Sequence, residues 1–121
     1  MRITLSTNGA LLDSDAKREA ALFADAILFS IDGIDDAMMN LYQRGARFDR
    51  AYGNMRRLVE FRDARGRKSP LVEWKYVLFN WNDRADAIRS AVDLARKAGV
   101  DLISFWPTRY PINGIDRKSV V

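Results

Sequence analysis

The sequence predicts an α/β protein of four parallel strand–helix units, and three observations carry that expectation. Short apolar or β-branched runs alternate with longer segments of helical periodicity along the chain. Each segment between two runs is long enough to bring the chain back for a parallel neighbour. Every apolar run ends in compact polar or glycine residues, as strands of parallel sheets do where they open onto a ligand.

The elements follow in order. Ile3 to Ser6 reads as a short strand closed by the turn signal Thr7-Asn8-Gly9. Asp13 or Ser14 can cap a helix in which Ala16, Ala20 and Phe23 recur at helical spacing. Ala26 to Phe29 is a continuous apolar run, suited to a strand covered on both faces. A short helix is expected over Asp36 to Tyr42. A longer one is expected from Phe48 to about Ala64, with Phe48, Tyr52, Met55 and Val59 on one stripe. After the polar turn Gly66 to Pro70, Leu71 to Phe79 is rich in aromatic and β-branched residues and reads as a strand. Asn82 or Asp83 then caps a helix with Ile88, Val92 and Ala95 facing inward. Gly99 stands where a left-handed C-terminal residue is wanted, and Leu102 to Trp106 is the last strand.

Composition narrows the chemistry. The chain has 121 residues, room for one domain or part of a larger one, with ordinary shares of 48% apolar and 30% charged residues. No apolar stretch approaches the ~20 residues that span a bilayer, and Met1 to Leu5 lacks a secretory apolar region, so no membrane association and a cytoplasmic location are expected. The net charge of +4 comes from 20 basic and 16 acidic residues. Basic residues cluster at Arg56-Arg57 and from Arg62 to Lys68, but no stacking aromatics are interleaved, so a solvated helix face is expected rather than a nucleic-acid patch. Cysteine is absent, which excludes disulfides and thiolate-held iron–sulfur or zinc sites. Histidine is absent too, which removes the commonest general base.

The polar residues at the strand ends are the candidate site. Ser30 follows the second apolar run and precedes the Asp32-Gly33 turn, a position favouring function. For Thr7, Asn8 and Asn82, capping and ligand contact are equally open. Arg44, beside Gly45 between two helical segments, can offer a bidentate guanidinium to a carboxylate. Lys75 on the third apolar run points either toward a ligand or outward.

Taken together, these residues resemble the C-terminal part of the radical SAM superfamily core, especially enzymes of the SPASM and anaerobic sulfatase-maturase type. The resemblance lies in Ser-Thr-Asn-Gly-Ala-Leu-Leu at 6–12, Ser-Ile-Asp-Gly at 30–33 and Arg-Gly-Ala-Arg-Phe-Asp at 44–49. It continues through Tyr-Val-Leu-Phe at 76–79 before Asn80 and Asn82, then Leu94-Ala95 and Gly99-Val100-Asp101, covering nearly all of 2–112. It implies an incomplete arc of a partial (β/α)6 TIM-like barrel, with residues 1–115 forming its third to sixth units. In such enzymes a [4Fe–4S] cluster reductively cleaves S-adenosylmethionine to a 5′-deoxyadenosyl radical that takes a hydrogen atom from the substrate, here expected to be a peptide or protein.

By the same resemblance Ser30 contacts the methionyl or ribose part of S-adenosylmethionine. Arg44 holds its carboxylate, Asp32 with Gly33 shapes the turn, Asn80 faces the ribose, and Phe105 and Trp106 lie where the family flanks adenine, with packing the expected job of Phe105. Two parts of the family pattern are missing: the C-x-x-x-C-x-x-C loop that holds the cluster, and the Gly-Gly-Glu type segment that meets the cofactor's amino group. The chain is therefore expected to be a fragment, inactive alone. Residues 116–121, Asp-Arg-Lys-Ser-Val-Val, break the resemblance and are expected to be a non-native tail, since their codons can read as a translated sequencing adapter. The alternative is a cysteine-free accessory or binding module that uses the same arc.

Overall fold

The computed structural model describes residues 2–10, 12–40, 47–79 and 82–107. Among these the elements are β1 (Thr4–Thr7), α1 (Asp15–Ala21), β2 (Ala26–Ser30), α2 (Asp36–Asn40), α3 (Phe48–Ala64), β3 (Leu71–Leu78), α4 (Ala85–Ala98) and β4 (Leu102–Pro107). The strands form one sheet in the order β1-β2-β3-β4, and all three pairings are parallel. The expected strand–helix alternation therefore yields a sequentially ordered parallel sheet. Among the described residues, no helix is long and apolar enough to cross a membrane.

The sheet has two unlike faces. Paired residues of neighbouring parallel strands share a face, so Ile27 and Val72 lie side by side, as do Phe29, Trp74 and Ile103, and then Tyr76 and Phe105. This face carries the core: Ile27, Phe29, Val72, Trp74 and Tyr76 are almost wholly buried, against Met55 and Leu58 of α3 and Ala91 and Ala95 of α4. Phe48 and Tyr52 of α3 stack at 5.2 Å, and Tyr52 meets the Trp74 ring edge-on at 6.1 Å. The Tyr52 hydroxyl donates to the Leu94 carbonyl at 2.7 Å, linking α3 to α4. The opposite face carries Ser6, Leu28, Ser30, Glu73, Lys75, Ser104 and Trp106, and among the described residues no helix lies across it.

Several expectations hold locally. Ser14 caps α1, its hydroxyl accepting from the Lys17 amide at 3.3 Å. Gly99 ends α4 at φ 76°, a left-handed conformation that strains any other residue. The α3 bounds and its Phe48-Tyr52-Met55-Val59 stripe are as expected.

Others need correction. In α1 the inward residues are Arg18 and Ala21, while Ala16 and Ala20 are exposed and Phe23, beyond the helix end, is 84% exposed. In α4 the buried stripe is Ala87, Ala91, Ala95 and Ala98, with Ile88 and Val92 at its margin. The sheet surface beneath α4 is already filled by Trp74, Tyr76 and Phe105, so methyl side chains let the helix approach where larger ones do not fit. The α4 N-cap falls on Arg84 rather than Asn82 or Asp83.

The N-terminal ends of β3 and β4 are tied by charge. Arg62, buried on α3, donates to the Pro70 carbonyl at 3.0 Å and to the Asp101 carboxylate at 2.6 Å, and that carboxylate also accepts from the Val72 amide at 2.8 Å. Other members of the basic cluster are likewise engaged within the fold. Arg56 pairs with Glu60, Arg65 lies 3.5 Å over the Phe61 ring, and Arg67 donates to the Leu22 carbonyl.

Candidate functional site

The site grows from the segment that leaves β2. Ile31 is wholly buried and Asp32 nearly so, and both extend the chain past the last ladder pair, Ser30 with Lys75. Four bonds tie this extension to β3 and the loop after it, the first from the Ile31 amide, which donates to the Lys75 carbonyl at 3.2 Å. Trp74 Nε1 donates to the Ile31 carbonyl at 2.7 Å, the Val77 amide donates to Asp32 Oδ1 at 2.8 Å, and Asn82 Nδ2 donates to the Asp32 carbonyl at 3.0 Å. The Asp32 carboxylate thus takes the place of a backbone carbonyl where the ladder has run out. Gly33 follows because α2 comes close: a Cβ there would stand 3.0 Å from Met38 Cβ and Cγ.

Asn82 is the centre of this arrangement. Its side chain is wholly buried, and all of its polar atoms are used. Oδ1 accepts from the Phe79 amide at 2.6 Å, while Nδ2 donates to the Val77 carbonyl at 2.8 Å as well as to Asp32. Its own carbonyl accepts from the Tyr76 hydroxyl at 2.9 Å. The amide therefore joins the end of β2 to the end of β3, and the role left open between capping and ligand contact is resolved as internal bonding. Thr7 and Asn8 are also used locally, accepting from the Gly9 and Ala10 amides at 3.0 Å. Gly9 itself lies at φ 82° with α3 against it, and its carbonyl accepts from buried Asn54 at 2.7 Å.

What remains for a ligand is the row on the open face. Ser30, Lys75 and Ser104 are successive partners across β2, β3 and β4 and share that face. The Ser30 hydroxyl is half-buried and has no hydrogen-bond partner among the described residues. Lys75 projects from the same face, with its ammonium 4.7 Å from the centre of the Trp106 ring. That contact is worth about 0.5–1 kcal/mol at an exposed site. Trp106 is 47% exposed, and its Nε1 donates to Ser104 Oγ at 2.8 Å, which in turn donates to the Glu73 carboxylate. Of the two aromatics placed where the family flanks adenine, Trp106 is on the open face, and Phe105 packs on Tyr76 at 5.3 Å against the core, as expected of it. Arg44 and Asn80 lie outside the described residues.

A groove of about 470 Å³ opens elsewhere, on the helix side of β1, lined by Leu5, Thr7, Leu12, Lys17, Ala20 and Ile27. Its one charged group, Lys17, is paired with Asp13 at 2.9 Å, so it offers little to fix a polar ligand. Among the described residues, no group of three or more Asp and Glu side chains could hold a metal ion.

Burial pushes the Asp32 carboxyl above its ordinary range, against the bond from Val77 and the nearby Lys75 ammonium. Its folded-state value then exceeds the unfolded one, so the folded chain binds more protons between the two. Stability is therefore predicted to fall as pH rises through that window and to level off above it. Asp32→Asn keeps an oxygen for the Val77 amide and removes the buried charge; unfolding across the mildly acidic range should show the slope reduced and neutral-pH stability kept or raised. Asn82→Ala strips partners from the Phe79 amide and the Asp32 and Val77 carbonyls, a predicted loss of about 3 kcal/mol or more in denaturant unfolding. Asn82→Asp, nearly the same shape, should cost as much, because it turns acceptors toward two carbonyls.

No family model matches the chain, and neither does any curated protein. Solved structures do. The crystal structure of Streptococcus suis SuiB bound to S-adenosylmethionine superposes with a TM-score of 0.65 at 18% identity, covering 91% of this chain and 23% of SuiB. A second SuiB crystal structure gives a TM-score of 0.67 at 18% identity, covering 94% of this chain and 25% of the other. The chain thus spans about a quarter of the length of SuiB, and the two share a fold over that span.

Proposed function

We propose that this chain forms one wall of an S-adenosylmethionine site, as the third to sixth units of a radical SAM core of the SPASM-like type. The observation that carries the reading is the likeness over 91% of the chain to a structure with S-adenosylmethionine bound, the cofactor also implied by the family resemblance of the segments Ser30–Gly33 and Arg44–Asp49. The open row lies on the sheet face level with the C-terminal end of β2, toward the end of the sheet at which ligands of such folds bind. The Ser30 hydroxyl, without a hydrogen-bond partner among the described residues, offers a donor and acceptor for the methionyl or ribose part, and Trp106 offers an exposed aromatic plane for adenine. Asp32 acts by fixing the turn, since its carboxylate is taken by Val77. Arg44 holds the cofactor's carboxylate and Asn80 its ribose.

The cluster is a different matter. A chain without cysteine does not fit a [4Fe–4S] centre, so no reductive cleavage follows from these residues. Their work is binding and orientation, and activity requires thiolates from outside this sequence. A peptide or protein substrate and a cytoplasmic location belong to the same proposal. Nucleic acid has no part in the proposal.

A second reading has its own observation. Among the described residues β1 and β4 are the outer strands, and they carry the exposed side chains Leu5, Leu102 and Trp106, with exposed Ile3 just before β1. Such edges suit strand pairing with a partner, as a cysteine-free accessory module requires.

Calorimetry separates the two. The chain is predicted to bind S-adenosylmethionine, and Arg44→Ala to weaken binding about 10- to 100-fold, the worth of a charge-assisted pair. Unchanged affinity in Arg44→Ala would remove the role given to that residue. Absence of binding by the unaltered chain would favour the accessory module.

A further inference from the structure

The outer edge of β1 leaves backbone groups unused among the described residues. The Asp25 and Ala26 amides donate to the Ile3 carbonyl at 2.8 and 3.2 Å, so Ile3 turns its backbone toward β2. Residues of a parallel strand alternate in this respect. Leu5 and Thr7 therefore face β2 as well, whereas the amides and carbonyls of Thr4 and Ser6 point away from the sheet. Strands kept from pairing at an edge carry lysine, proline or an inward charge, and Thr4-Leu5-Ser6-Thr7 has none of these. On the helix side Leu5, 45% exposed, borders the apolar groove with Leu12, Ala20 and Ile27, and exposed Ile3 precedes it on the same face.

We propose that two copies of this chain pair antiparallel through β1, with Leu5 opposite Leu5 of the second copy, so that two sheets become one. The inference takes the outer strands of the second reading further by naming the edge and its occupant, and it is independent of S-adenosylmethionine. Every row of this register matches. Thr4 meets Ser6 of the second copy in both directions, which gives each outward amide a carbonyl. On the helix side Ile3 meets Thr7 and the two Leu5 side chains meet each other, covering the exposed flank of both grooves. Arg2 meets Asn8, and Lys17 beside the groove is already paired with Asp13, so no like charges oppose one another along the strands. A slip of one residue sets outward backbone groups against inward ones and turns Leu5 away from its counterpart. The match is its own mirror under a two-fold axis, which commits the edge to a second copy rather than to an unrelated strand. β4, the other edge, ends at Pro107, which has no amide to give.

Pairing over so short a strand makes the association reversible and concentration-dependent. Sedimentation of the whole chain over a range of concentrations, with no S-adenosylmethionine present, is expected to show monomer passing to dimer. Over the same range, hydrogen exchange at the Thr4 and Ser6 amides should slow. Ser6→Pro removes an amide that the chain's own sheet does not use, and by symmetry it deletes two bonds, so the dissociation constant should rise about tenfold or more. Leu5→Lys and Leu5→Glu should each be monomeric, while an equal mixture of the two should dimerise, because lysine then faces glutamate. Circular dichroism checks that each variant folds. A chain monomeric at every concentration, a dimer with unprotected Thr4 and Ser6 amides, or a mixture of folded variants that stays monomeric would overturn the pairing. Because the cofactor is left out, failure here is distinguishable from failure of the S-adenosylmethionine reading.

Discussion

The architecture of the ligand-facing end depends on one constraint: a parallel strand that ends before its neighbour leaves backbone groups to be satisfied. β2 stops pairing at Ser30, while β3 runs on to Leu78. The Val77 amide and carbonyl and the Asp32 carbonyl would otherwise lose these bonds in a partly or wholly buried place, each at a cost of up to about 1–3 kcal/mol. Asp32 and Asn82 meet this need between them, one carboxylate and one amide doing the work of a missing stretch of ladder. Trp74 Nε1 adds a bond to Ile31 from inside the core. The segment after β2 is thereby as firmly placed as a strand, and Ser30 at its base is placed with it.

That constraint divides the labour of the polar residues. Those lying at the strand ends, Asp32, Asn82, Thr7 and Asn8, are used for the fold itself. Those projecting from the open face, Ser30, Lys75, Ser104 and Trp106, stand free of the helix-covered core. The two sets follow from strand periodicity: alternate residues on β3 give Val72, Trp74 and Tyr76 to the core, and Glu73, Lys75 and Val77 to the open side. Among the described residues the helices lie on one side and a polar row on the other, which suits a sheet that stabilises itself through one face and can meet ligands with the other.

Much of this was legible in the sequence, and the misreadings have physical causes. The strands and α3 were readable because a long run or seventeen residues of helix fix the period and the phase together. α1, with seven residues, does not fix its phase, and the long stem of Arg18 is buried where an apolar residue was sought. In α4 the expected Ala95 is buried and Ile88 packs at the edge of the core, but Ala87, Ala91 and Ala98 were passed over because a methyl side chain gives little hydrophobic signal. Asn82 was recognised as significant but not as a clamp, since its partner Asp32 lies fifty residues away and leaves no local signature. Lys75 could not be oriented until the register with Ser30 and Ser104 was known. The resemblance that named S-adenosylmethionine drew on residues at both strand ends and loops, of which Arg44 and Asn80 fall outside the described structure.

The central claim is that the open face beside the β2 end is where S-adenosylmethionine lies. Amide chemical-shift mapping of the isotope-labelled chain on addition of S-adenosylmethionine tests it most directly. The account predicts perturbations concentrated at Ser30 to Gly33, Lys75 and Ser104 to Trp106, with the core helices α3 and α4 little changed. Perturbations confined to the groove beside β1, around Leu5, Leu12 and Ala20, or no perturbation at all, would contradict it.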